Sequence, residues 1–172
     1  MISGEKIYLK GITKEDAPKI YAWVNQEGLR DLTGTLYPVS EVEHEKWITS
    51  QLTNPDRKLF MICCQDTDRQ IGTIGLRNFD WINRNAELFI SIGEVDDYTS
   101  KGYGSDAVRT FVKYCFDHIN LHKVYLHVFE SNSRAIRCYE KAGFQKEGLL
   151  RDHHFSKGGY ENVIVMCRIC EN

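Results

Sequence analysis

At 172 residues, with 42% hydrophobic residues, 27% charged residues and three prolines, the chain lies in the globular range, far from disordered, collagen-like or coiled-coil compositions. A net charge of -2 with no Lys/Arg block offers nucleic acid no electrostatic footprint. The start, Met1 to Lys6, lacks a leader's apolar core, and no uncharged apolar run approaches the ~20 residues of a membrane span. The expectation is one cytoplasmic domain over residues 1–172, with neither nucleic-acid nor membrane partners.

Ile7-Tyr8-Leu9 reads as a short first strand, and Thr13 as the N-cap of a helix with Glu15 and Asp16 in its first turn and Pro18 early, where a missing N–H does least harm. A polar, loop-like stretch, Arg30–Ser40, leads to a second helix from about Val42 to Leu52. Leu59–Cys64 and Gln70–Arg77, joined by the turn-rich Asp66-Thr67-Asp68-Arg69, predict an antiparallel hairpin that Ala86–Ile92 extends into a meander. From Gly104 to Ile119 apolar residues recur as adjacent pairs four apart (Ala107/Val108, Phe111/Val112, Cys115/Phe116), the mark of a helix with one wide buried face. Lys123–Phe129 alternates as a strand, Ser133–Ala142 is a helix stopped by Gly143, and Phe144–Leu150 and Asn162–Ile169 finish as strands. The order is β-α-α-β-β-β-α-β-α-β-β.

Six cysteines (63, 64, 115, 138, 167 and 170) raise the question of a metal. Cys167-x-x-Cys170 has the spacing of half a zinc site but lacks a second ligand pair, so reduced thiols and no metal are expected. None of the thiols has a recognisable His/Asp partner arrangement for covalent catalysis.

Two segments can carry chemistry. Ser100-Lys101-Gly102-Tyr103-Gly104-Ser105 lies between a predicted strand and the long helix; its glycines let backbone N–H groups converge where the helix dipole is positive, an anion cradle. Alone it fits an ordinary Gly-rich turn equally well. The nucleotide triphosphatase pattern is absent, since Lys101 precedes the glycines. In the second, Asn132-x-x-Ala135-x-x-x-Tyr139-x-x-x-Gly143-Phe144, Asn132 can cap a helix on which Ala135 and Tyr139 share a face; a small residue beside a phenol leaves room for a ligand, although such a tyrosine also fits plain core packing.

Together, in this order and spacing, these segments resemble the GNAT superfamily of acyl-CoA-dependent N-acetyltransferases, which carries a Gln/Arg-x-x-Gly-x-Gly/Ala loop and an Asn-x-x-Ala-x-x-x-Tyr-x-x-x-Gly-Phe run. Gly102 and Gly104 match the first, and every named position matches the second; Thr99 stands where the family has Gln or Arg. Leu121-His122-Lys123-Val124-Tyr125-Leu126, Glu147-Gly148-x-Leu150 and Phe155-x-x-Gly158-Gly159-Tyr160-x-x-x-Ile164-x-Met166 resemble the branch with ribosomal-protein N-terminal and spermidine acetyltransferases.

The resemblance implies an α/β (α+β) GNAT fold, a mixed, mostly antiparallel sheet of about seven strands flanked by about four helices. It implies acetyl-CoA as acyl donor, direct transfer to a primary amine (a polyamine such as spermidine, a protein N-terminus or an amino sugar), and a homodimer or higher homo-oligomer as a plausible assembly. The pyrophosphate would lie on Ser100–Ser105, the pantetheine amides along Phe89, Ile90, Ser91 and Ile92, and Asn132, Ala135 and Tyr139 would complete the cofactor site, with Tyr139 protonating the departing thiolate.

An alkyl ammonium of pKa ~10.4 is about three units from neutrality near pH 7.4, which costs roughly 4 kcal/mol unless a base or a desolvating site helps. In Ala86–Ser91, alternation puts Glu87, Phe89 and Ser91 on one face, and Glu87 is the leading general base, directly or through water; a salt-bridged carboxylate at a strand end has the same sequence signature. Acceptor contacts are expected from Arg30–Ser40, the second helix and a loop over Arg151–Tyr160, with Asp31, Tyr37, Glu41, His154 and Tyr160 as substrate residues. Asp31, Glu41, Glu43 and Glu45 would suit a polyamine. His153 and His154 are adjacent, and adjacent residues of an extended chain point apart, which disfavours joint metal ligation. The rival from another class is an acyl-CoA sensor on the same fold without turnover.

Overall fold

The computed structural model describes residues 1–171, with Val95 and Asp96 described by backbone alone. Its frame is an eight-stranded sheet in the order β1-β2-β3-β4-β5-β6-β8-β7, formed by β1 (Ile2–Ser3), β2 (Ile7–Gly11), β3 (Lys58–Cys64), β4 (Gln70–Asp80), β5 (Asn85–Ile92), β6 (Lys123–Phe129), β7 (Gln145–Ser156) and β8 (Gly159–Ile169). Every pairing is antiparallel except β5 with β6.

Helices cover both faces. On one side α1 (Ala17–Val24), α2 (Glu27–Thr33) and α3 (Glu41–Thr53) bury Ile20, Trp23, Leu29 and Ile48 against Leu59, Met61 and Cys63 of β3. On the other, α5 (Tyr103–His118) and α6 (Ser133–Lys141), preceded by the short α4 (Val95–Tyr98), pack Ala107, Val108, Phe111, Val112 and Tyr139 on Ile7, Leu9, Ile74, Leu88, Val124 and Leu126. The paired apolar spacing read from the sequence is the buried stripe of α5. Asp106, buried in its first turn, accepts from the backbone N–H groups of Lys6 (2.8 Å) and Ile7 (3.2 Å) and so pins the start of β2 to the helix.

Four features depart from the sequence expectation. The chain begins with the added strand β1, folded back at Gly4, whose N–H donates to the Ile7 carbonyl at 2.8 Å. The short α4 also has no counterpart in the predicted order. The stretch expected as a loop from Arg30 instead opens inside α2, which ends at Gly34 in the left-handed region (φ 73°). Only Leu29 and Leu32 mark an apolar face there, too few for a periodic signal, and tertiary burial of Leu29 secures the turn. Lastly, Arg151–Tyr160 is a hairpin rather than a loop: β7 runs on through Ser156, pairing His154 with Glu161 and Phe155 with Tyr160 around a tight turn at Lys157 (φ 52°) and Gly158 (φ 80°).

Candidate active site

The parallel contact of β5 and β6 lasts three rungs, Asn85 with Lys123, Ala86 with Val124 and Glu87 with Tyr125. Beyond it β5 stays paired to β4 as far as Ile92 and β6 stays paired to β8, so the two strands part and leave one backbone edge of β5 facing a gap. Unpaired strand edges offer N–H and C=O groups to any extended ligand. The gap widens into a cavity of about 550 Å³ that Phe89, Ile90, Ser91 and Ile92 line from β5. Close β4–β5 approach depends on Gly72, where a Cβ would lie 2.2 Å from the Ser91 carbonyl oxygen.

At one end of the cavity is the start of α5. Gly102 is its N-cap in the left-handed region (φ 88°), and Ser100, Gly102, Gly104 and Ser105 line the wall together with Thr99. A Cβ on Gly104 would stand 3.4 Å from the Cys138 sulfur, so glycine keeps the space between α5 and α6 open. Lys101 and Tyr103 do not line the cavity: the Lys101 ammonium donates to the Asp97 carbonyl at 2.6 Å, and the Tyr103 ring stands edge-on to Tyr98.

Helix α6 forms the next wall. Asn132 caps it, its Oδ1 accepting from the Ala135 N–H at 3.2 Å, and Ala135, Cys138 and Tyr139 face the cavity. Burial raises the Tyr139 phenol above its ordinary range, so it remains a protonated donor at any working pH. Arg134, Arg137 and Lys141, three and four residues apart, add a cationic stripe to the same wall. The structure thus has a positive helix end, a cationic rim and an open strand edge along one cavity, a fit for a ligand with phosphates at one end and amides along its length.

At the other end Glu87 is buried at 5% exposure with its oxygens occupied. Oε1 accepts from Arg77 Nη2 at 3.0 Å and from the Nδ1–H of His127 at 2.8 Å, and Oε2 accepts from Asn78 Nδ2 at 2.7 Å. Burial by itself would raise this carboxyl; hydrogen bonds from Arg77, His127 and Asn78, with the Arg77 charge, outweigh it and hold it below its ordinary value. Near neutrality Glu87 is therefore a firmly ionised carboxylate held by three hydrogen bonds, and the cavity also meets the half-exposed side chain of His127.

A model of the Acetyltransferase (GNAT) domain family matches residues 6–145. The chain belongs to the GNAT acetyltransferases. The spermidine N(1)-acetyltransferase of Escherichia coli K12 is 28% identical over 167 residues, 97% of this chain and 88% of that protein. YokL, a prophage-derived N-acetyltransferase of Bacillus subtilis, is 28% identical over 162 residues, 94% of this chain and 89% of that one. The crystal structure of the Vibrio cholerae spermidine N-acetyltransferase in complex with CoA and spermine superposes with a TM-score of 0.86 at 26% identity, covering 95% of each chain. This GNAT chain is accordingly an N-acetyltransferase with acetyl-CoA as acyl donor. Among the described residues, no helix is long and apolar enough to cross a membrane, and no cluster of three His, Cys, Asp or Glu side chains is arranged to hold a metal.

Of the residues expected at the acceptor end of the GNAT site, several lie elsewhere. Asp31 is exposed and paired with Lys157 at 2.9 Å, tying α2 to the β7–β8 turn. Tyr37 is exposed, and Tyr160 packs on Phe155 at the hairpin tip. Glu41 borders a second hollow, between α1 and α3, beside Tyr21 and His44. His154 stacks on Phe129 with centroids 4.0 Å apart and so stands behind a cavity-lining ring. The Glu87 end of the cavity is instead walled by Leu29, Leu32 and Thr33 of α2, Phe129 of β6, and the Arg77–Glu87–His127 group. Sequence reasoning missed His127, Arg77 and the Arg134/Arg137/Lys141 stripe. Alternation along β6 does put Tyr125, His127 and Phe129 on one face, and the stripe has helical spacing, but neither signal says which face meets the cavity.

Proposed function

We propose that residues 1–172 form one catalytic unit that moves an acetyl group from acetyl-CoA directly to a primary amine held at the Glu87/His127 end of the cavity. The observation that carries this reading is the single cavity joining the α5 N-terminus, the free edge of β5, the buried Tyr139 phenol and the Glu87–His127 pair. The pyrophosphate takes the N–H groups at Gly102–Ser105, with Arg134, Arg137 and Lys141 as further anion partners; the pantetheine amides pair with the edge at Phe89–Ile92. Tyr139 gives its proton to the departing thiolate.

Polyamine, peptide N-terminus and amino sugar do not fit the acceptor end equally. Among the described residues, Glu87 is the one carboxylate that lines the cavity, and its charge is already matched by Arg77. Of the four acids that would suit a polycation, Asp31 pairs with Lys157, Glu41 and Glu45 border a separate hollow, and Glu43 accepts from Ser40 at the start of α3. The chain's own charges therefore favour an acceptor with one ammonium, such as a peptide N-terminus, over spermidine, while kinship with spermidine acetyltransferases keeps the polyamine as the second reading. Thiol release measured with acetyl-CoA and spermidine, an aminoglycoside and an alanine-initiated peptide tests both: highest kcat/KM on the peptide supports the first, highest on spermidine the second. Release with none of them would refute turnover.

A further inference from the structure

We propose that His127 is the group that takes the proton from the acceptor ammonium and that Glu87 is its positioning residue, not the base itself. This rests on the transferase reading above. The Glu87 oxygens already accept from Arg77, Asn78 and His127, which leaves an incoming proton one acceptor position, on Oε2, of a carboxylate stabilised in its ionised form and therefore a weak base. The 2.8 Å bond from Nδ1–H to Glu87 fixes the neutral ring as the tautomer whose Nε2 carries the lone pair. The ring lines the cavity, and its half-exposed side chain can be reached by substrate and can return its proton to water. Glu87 and Arg77 face it from β5 and β4, and Tyr125 stands edge-on at 6.0 Å on its own strand; on β8 the residue opposite is Val165. A carboxylate neutralised by Arg77 orients the ring and stabilises an imidazolium without being consumed.

The proton balance closes. The ammonium gives one proton to Nε2, and the freed nitrogen lone pair attacks the thioester carbonyl carbon to form the C–N bond. The C–S bond breaks with its electron pair on sulfur, and the thiolate takes the Tyr139 proton. The nitrogen's second proton restores the phenol through water, and His127 sheds the first to solvent. One proton is released per acetyl group transferred.

The test compares wild type, His127→Gln and Glu87→Gln for thiol release with an alanine-initiated peptide and with spermidine across pH 5.5 to 8.5, alongside acetyl-CoA binding by calorimetry. On whichever amine is turned over, His127→Gln is expected to lower kcat about 100-fold near pH 7.5, with the ratio shrinking toward the acid end of the range, where a protonated ring can no longer take a proton. Glu87→Gln is expected to lower kcat less and to shift the pH midpoint, and both variants should bind acetyl-CoA as the wild type does. A His127→Gln defect of the same factor at every pH, a wild-type rate, or lost acetyl-CoA binding would overturn the assignment while leaving the transferase reading intact. A wild type that turns over neither amine overturns that reading and the proposal with it.

Discussion

Glu87 and Tyr125 form the last rung between β5 and β6, and the cavity opens immediately beyond them. The carboxylate that closes the parallel contact is thus also the one that reaches across the opening gap to His127, two residues further along β6. Strand register, rather than a loop, sets this end of the cavity.

Two buried carboxyls give the fold an acid limit. Burial would raise both Asp16 and Glu87, but hydrogen bonds outweigh it: Thr13, Gln70 and Lys10 hold Asp16 down, and Arg77, His127 and Asn78 hold Glu87 down. With folded values below the ordinary 3.8 and 4.5, their stabilisation is complete above that range and is lost as pH falls through it and below. Asp16→Asn is expected to cost about 1–3 kcal/mol near neutrality. The gap from wild type, read by urea denaturation, should close toward pH 3; a gap constant with pH would contradict this account.

Tyr139→Phe removes the phenol and keeps the buried ring against Phe144. Its kcat should fall about 100-fold, the usual scale for losing a positioned acid, with acetyl-CoA affinity within about threefold of wild type. An unchanged kcat would assign thiolate protonation to water.

Gly104→Val fills the space beside the Cys138 sulfur and should weaken acetyl-CoA binding at least ~10-fold. Gly11→Val is the matched control, since nothing lies within 4 Å of its added Cβ. Equal calorimetric affinities for the two variants would remove Gly104 from the cofactor wall.

Asn132→Ala deletes the cap on Ala135 and is expected to cost about 1 kcal/mol, or roughly 2–4 °C in Tm. Differential scanning calorimetry checks it, and an unchanged Tm would show that packing of α6 alone sets its start.

Much of the cavity's α5–α6 end was legible in the chain because local chemistry dictates it. Gly102 must be free to take a positive φ at the start of α5, Asn132 caps α6 three residues before Ala135, and Tyr139 follows one turn later on the same face. The paired apolar rhythm of α5 and the alternation of β6 likewise mark their buried faces. These are signals of short range, set by periods of 3.6 and 2.

The Glu87/His127 end of the cavity was decided by tertiary structure. Glu87 and His127 are forty residues apart, and only the three-rung parallel register brings the carboxylate under the imidazole. The β7–β8 pairing turned the expected Arg151–Tyr160 loop into a hairpin and put His154 behind Phe129, and burial of Leu29 wound the start of the expected Arg30–Ser40 loop into α2. Strand pairing and burial act between residues distant in sequence, and no local period encodes which distant partner each will meet. The sequence by itself determined the family, the donor and the glycine-rich start of α5; the splay of β5 from β6 decided which side chains line the opposite end of the cavity.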